Sequence, residues 1–193
     1  MVQAAKIDRR ITRTKQSIAK AFLELFSEKD FEQITINEIA DRANVNRGTI
    51  YLHYSDKYDL FDKCIEDHIN QLISLCKKKD VHGVHQVMEY EVKPVFDYLK
   101  DHYLFFSSMF TNQRAIIFRD SLQHFISVSL MEKMNIQGNN IEVDNELNAQ
   151  FMTSAFVGIL EWWIRNQMPR STEFMANQVR KLFEKNQVHL KYK

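Results

Sequence analysis

Glycine and proline are scarce in this chain of 193 residues, which holds 4 of the first and 2 of the second. That is too few for the turns of a barrel or sandwich of many short strands, so an all-α fold is expected. Gly48, Gly83, Gly138 and Gly158 are also scattered, too far apart to build a GxGxxG dinucleotide turn or a Walker phosphate loop. Nucleotide enzymes of those kinds are excluded. Cysteine is nearly absent: Cys64 and Cys76 form no CxxC pair. The opening MVQAAKIDRR lacks the apolar stretch of a secretory signal, so a reducing cytoplasm is the expected setting. Neither sign of charge dominates, since 26 Lys+Arg against 25 Asp+Glu leave a net charge of +1, and any basic patch must be local. Long apolar runs are missing as well. The greasiest stretch, SAFVGILEWWI, is interrupted by Glu161 and falls short of the roughly 18 residues that cross a bilayer.

What is present is helical periodicity. From about Asp8 to Glu28, Ile11, Ile18, Phe22 and Leu25 share one face of an amphipathic helix. Its start is basic, with Lys6, Arg9, Arg10, Arg13, Lys15 and Lys20 set against Asp8 alone. Thr35-Ile-Asn-Glu38 then reads as a capping box, in which the Thr35 oxygen accepts a backbone N–H and Glu38 reaches back. The short helix that follows should stop at Asn44, which tolerates the left-handed conformation, and Asn46 can cap the next. A helix from about Arg47 to His53 and a cap at Ser55 come next. Leu60, Phe61, Cys64, Ile65, His68, Ile69, Leu72 and Ile73 then continue a helical stripe to about Cys76. Two short helices joined by about three residues make a helix-turn-helix.

The segment Phe31-Glu-Gln-Ile-Thr35-Ile-Asn-Glu-Ile-Ala40-Asp-Arg-Ala-Asn-Val45-Asn-Arg-Gly-Thr-Ile50-Tyr-Leu-His-Tyr-Ser55-Asp-Lys57-Tyr-Asp-Leu60 strongly resembles the DNA-binding head of TetR/AcrR-type transcriptional regulators. The family pattern is matched at nearly every fixed position from 31 to 60. It departs at Asn44, where a small residue or glycine is common, and at Tyr54, where Phe is usual. The resemblance implies groove contacts from Asn46, Arg47, Thr49 and His53, with Arg47 suited to the O6/N7 edge of guanine. It implies phosphate contacts from Tyr51 and Lys57, helped by Thr35 and the basic first helix. Gly48 would let the backbone approach the duplex, although a helical glycine costs about 1 kcal/mol relative to alanine. Ile36, Ile39, Val45, Ile50 and Leu60 would form the core. The plain alternatives are that Arg47 and Lys57 are solvated charges and Tyr51 a core residue.

From about Val81 the chain reads as a second, larger helical body. Helices are expected at about Gly83–Lys100 (kinked or divided at Pro94), Tyr103–Phe110, Arg114–Met134, Asn145–Gln167 and Ser171–Val188. Gln137-Gly-Asn-Asn140 marks a turn, and Met168-Pro169-Arg170 a break between the last two helices. The resemblance implies a DNA-binding domain over 1–54 and an effector-binding and dimerisation domain over 55–193. It implies a homodimer on a palindromic operator, because a two-fold protein needs a two-fold site. The Asn145–Gln167 helix is apolar almost all round. Phe156, Leu160 and Trp163, with Val179 and Phe183 of the last helix, are candidates for the dimer face, or for an ordinary core. Phe96, Phe106, Phe110, Phe118, Phe125 and Phe156, with His124, are candidates to line an effector pocket, and again the alternative is core packing.

Cys64 and His68, one helical turn apart, with Cys76, His82 and His85 downstream, could outline a soft metal site, but the spacing is weak and Cys64 lies on the apolar stripe. No HExxH or GxSxG pattern occurs, so no enzyme, metal or cofactor is expected. The expected protein is a bacterial, cytoplasmic repressor, nucleoid-associated when bound. Its rival is a TetR-like interaction protein or coactivator that binds a protein partner rather than a free metabolite.

Overall fold

A computed structural model describes residues 2–77, 92–111, 115–136 and 144–188, with side chains over 9–75, 92–111, 116–128, 130–131 and 144–183. Every regular element among them is helical: α1 Val2–Glu28, a 3-10 turn Phe31–Gln33, α2 Ile36–Ala43, α3 Arg47–Tyr51, α4 Lys57–Lys77, α5 Val92–Asp101, α6 Tyr103–Thr111, α7 Ala115–Ile136, α8 Asn145–Arg165 and α9 Thr172–Val188. The chain divides into two compact units, Met1–His68 and Ile69–Lys193. The turn expected at 137–140 and the start of the helix expected from Gly83 lie outside the described residues. Pro94 is the third described residue of α5, which runs on unbroken to Asp101.

In the first unit α1 packs on α2 and α2 on α3. Ile18, Phe22, Leu25 and Phe26 of α1 meet Phe31, Ile34, Ile39, Ile50, Leu60 and Phe61, all buried. Four rings make the centre: Phe31 lies 6.1 Å edge-on from Phe22 and from Phe26, and 5.3 Å from Phe61. Such pairs add about 0.5–1.5 kcal/mol each beyond burial. Because α4 supplies Leu60, Phe61 and Cys64 to this core, its first three turns group with the head.

Local chemistry sets the helix ends. Asn44 adopts φ 53, ψ 48 and stops α2 as expected. The cap expected at Ser55 is instead Asp56, whose Oδ1 accepts from the backbone N–H of Tyr58 and of Asp59 at 2.8 Å each. The Ser55 N–H itself donates to Asp59 Oδ2, so α4 starts one residue later than the pattern suggested.

In the second unit α8 packs on α7 and α6, and α5 on α9. Rings of Phe105, Phe106, Phe110 and Phe118 interlock at 5.0–6.0 Å. Trp163 meets Phe96 edge-on at 5.1 Å, and its Nε1–H donates to the Arg170 carbonyl at 2.9 Å. That bond ties down the break after α8, where Gln167 and Met168 take φ of 58 and 55 before Pro169.

Candidate nucleic-acid interface

α3 is a helix of five residues, too short to persist alone, so its flanks must hold it. At its start the Asn46 side-chain oxygen accepts from the Gly48 N–H at 2.8 Å. An N-cap of this kind stabilises a helix by about 1 kcal/mol. Asn46, expected in the groove, commits its Oδ1 to the cap, while its side chain is exposed and keeps its Nδ2 donors. A Cβ at Gly48 would lie 3.3 Å from that cap oxygen, tighter than ordinary contact, which gives glycine a reason here independent of DNA. Ile50 anchors α3 in the core, while Arg47 and Tyr51 are exposed and Thr49 and His53 half-exposed. Arg47 folds back along the helix: its guanidinium donates to the Tyr51 hydroxyl at 2.8 Å and lies 5.3 Å from that ring. The two side chains expected at base edge and phosphate therefore form one exposed pair. Beside them stands Leu52, 80% exposed, which a hydrophobic pattern reads as core and which the sequence reading missed.

At α2 the capping box forms as the spacing predicts. Glu38 N–H donates to Thr35 Oγ1, and Glu38 Oε2 accepts from the Thr35 N–H at 3.0 Å and its hydroxyl at 2.9 Å. Lys29 joins Glu38 from the other side. Both Thr35 donors expected to help at a phosphate are thereby occupied by a carboxylate. Hydrogen bonds from Lys29 and then from Thr35 bring the Glu38 carboxyl from the usual 4.5 down to about 2. A carboxylate with a lower pKa in the fold stabilises fully above its unfolded value and loses that contribution as pH falls through the folded one. The melting-temperature gap between wild type and Glu38→Gln should therefore be constant above about pH 5.5 and shrink as pH falls from 4.5 to about 2. Circular dichroism melts across that range check this; a gap independent of pH would contradict it.

Lys57 departs most from expectation. Its Nζ donates to the carbonyls of Phe31, Glu32 and Ile34 at 3.0, 3.0 and 3.1 Å, with the Phe31 ring 4.9 Å away. An ammonium has three N–H groups, and all three are used. In this geometry none is left for a phosphate.

The candidates in the second unit also move. Leu160, Trp163 and Val179, read as a dimer face, are each 1% exposed within a single chain, so the structure corrects them to core. Phe156 and Phe183 are half-buried and pack on each other at 6.0 Å. Phe96, Phe106, Phe110 and Phe118, offered as pocket lining, are buried in the ring contacts above; His124 is exposed and Phe125 half-buried. Burial pushes the Cys64 thiol up to about 12, away from the thiolate a metal needs, and the described residues hold no group of three metal-ligating side chains. The side chain of Cys76 and residues His82 and His85 lie outside the described residues.

These features can be set beside known proteins. Residues 18–64 match the family described as bacterial regulatory proteins of the tetR family, and residues 88–185 match a TetR-type transcriptional regulator C-terminal region. The chain belongs to the TetR family. It is 24% identical over 177 residues to the HTH-type transcriptional regulator YxbF of Bacillus subtilis, covering 84% of this chain and 42% of that protein. It is 26% identical over 86 residues to IcaR of Staphylococcus aureus, the negative transcriptional regulator of the biofilm operon icaADBC, covering 43% of this chain and 46% of IcaR. The chain spans less than half the length of these curated relatives. Its fold matches that of a solved TetR-family regulator of Syntrophomonas wolfei with a TM-score of 0.70, at 20% identity, over 92% of this chain and 96% of the other. Members of this family are transcriptional regulators rather than enzymes, and the all-α plan of a helix-turn-helix head with a larger helical C-terminal domain is the TetR plan. No helix among the described residues is long and apolar enough to cross a membrane.

Proposed function

We propose that this TetR-family protein is a homodimeric, sequence-specific repressor of the bacterial cytoplasm whose hold on a palindromic operator responds to a small molecule. The observation that carries the reading is α3 itself, a helix capped at Asn46, rooted by Ile50 and presenting Arg47, Thr49, Tyr51 and His53 outward. A helix of this kind fits the major groove, where Arg47 can read guanine and the exposed Leu52 can meet a thymine methyl. Tyr51 reaches the backbone, and the basic start of α1 adds non-specific attraction. In this division of labour residues 1–54 contact DNA, and 55–193 serve effector binding and dimerisation. The name of IcaR as a negative regulator supports repression.

The dimer reading rests on one face of α8. Leu147, Phe151, Ala155, Gly158 and Trp162 follow at helical spacing and are all exposed, the three large ones 49–65%. A Cβ at Gly158 would meet nothing within 4 Å among the described residues. A glycine inside a helix costs about 1 kcal/mol relative to alanine, and close approach of a partner helix accounts for it. α9 adds the exposed Phe174 and Leu182. For the effector, the support is Thr153 on α8, fully buried with a hydroxyl that finds no hydrogen-bond partner among the described residues. An unmet hydroxyl in an apolar interior is costly, and a small molecule with one complementary polar group would satisfy it. Effector binding would favour a dimer with a different head separation, through α4, whose residues fall in both units.

Arg47→Ala tests the reading. It is expected to relax specificity at one base pair by about 1–3 kcal/mol in binding to a library of operator variants. A specificity profile identical to wild type would remove α3 from the interface and favour a protein partner.

A further inference from the structure

Lys57 opens α4, yet its side chain ends at the turn that precedes α2, among the carbonyls of Phe31, Glu32 and Ile34. Three carbonyl oxygens pointing at one locus repel one another unless a cation with matching donors sits among them. The ammonium meets that need, and at 16% side-chain exposure it is largely shielded from water. The next residue grips the same turn: the Tyr58 hydroxyl donates to Glu32 Oε2 at 3.0 Å, and its ring stands 5.1 Å from that of Phe31. Ile34, one of the three acceptors, leads directly into Thr35, the cap of α2. The first turn of α4 is therefore fastened to the point from which the helix-turn-helix starts.

We propose that Lys57 is a positioning residue for DNA binding and not a phosphate contact: its ammonium clasps the 31–34 turn and fixes the helix-turn-helix on α4. The inference rests on the DNA-binding reading above and assigns this lysine a role within it. An ammonium facing a phosphate releases one counterion on binding, whereas one held by carbonyls releases none. Removing the clasp lets the turn and α2 shift, which harms the fit of α3 to specific bases more than it harms general attraction to a duplex.

The test measures binding of wild type and Lys57→Gln to random-sequence duplex DNA, and to the tightest-binding fragment from the protein's own gene neighbourhood, across a salt series. The expected result is an unchanged salt slope, random-duplex affinity within twofold of wild type, and specific affinity lower by tenfold or more. A slope smaller by about 1 on both duplexes would overturn the proposal and restore the phosphate contact. Should Lys57→Gln not fold, the wild-type protein decides: the 15N-labelled Lys57 ammonium signal is expected to persist unshifted when DNA is added, and coupling of that signal to a DNA phosphorus would overturn the clasp. Failure of wild type to bind either duplex is a different outcome and counts against the DNA-binding reading itself.

Discussion

The double variant Phe151→Glu/Trp162→Glu is expected to run as a monomer in analytical ultracentrifugation, to keep its helical content, and to lose operator affinity by about 100-fold or more. Both residues lie on the exposed face of α8, so charge there disturbs nothing in the chain's own core. In a dimer the same carboxylates would be buried against apolar side chains, at a cost of several kcal/mol unless paired. In the proposed homodimer two half-site contacts share one association event, and separating them accounts for the large effect expected on DNA. A variant that stays dimeric would move the interface off this face.

Trp163→Ala should have the largest effect on stability, about 3–5 kcal/mol, because it empties a fully buried site. That is a large share of the 5–15 kcal/mol by which domains are usually stable. Trp163→Phe leaves a smaller aromatic ring beside Phe96 and gives up the Nε1–H bond to the Arg170 carbonyl, so it should cost less, about 1–3 kcal/mol. Urea denaturation followed by circular dichroism separates the two. If Trp163→Ala left the unfolding midpoint unchanged and dissociated the dimer instead, Trp163 would be an interface residue after all.

The legible parts of this protein are those decided within a few residues. Thr35 and Glu38 sit at the spacing of a capping box, Asn44 suits a left-handed stop, and Asn46 can cap α3; all three form. What sequence left open there was which atoms the caps use: Thr35 gives its N–H and hydroxyl to Glu38, whereas Asn46 gives only its Oδ1. Ser55 and Asp56 are both good caps, and only the backbone geometry selects Asp56. Lys57 was beyond reach for a different reason. Its acceptors lie 23–26 residues earlier and are main-chain carbonyls, which carry no residue-type signal. On α8 periodicity showed apolar residues all round, but which sector faces its own chain depends on where α6 and α7 pack. Hence Trp163 goes inside and its neighbour Trp162 stays 49% exposed. The phenylalanines of α6 and α7 are equally ambiguous in sequence, because rings that fill a core and rings that line a pocket have the same spacing.

The account stands most directly on α3 reading DNA. Binding of the purified protein to fragments from its own gene neighbourhood, at two salt concentrations and beside the Arg47→Ala/Tyr51→Phe variant, measures that claim. The account predicts tight, salt-dependent binding to one fragment, weakened at least tenfold by the variant. Weak binding, equal on every fragment and indifferent to the variant, would contradict it.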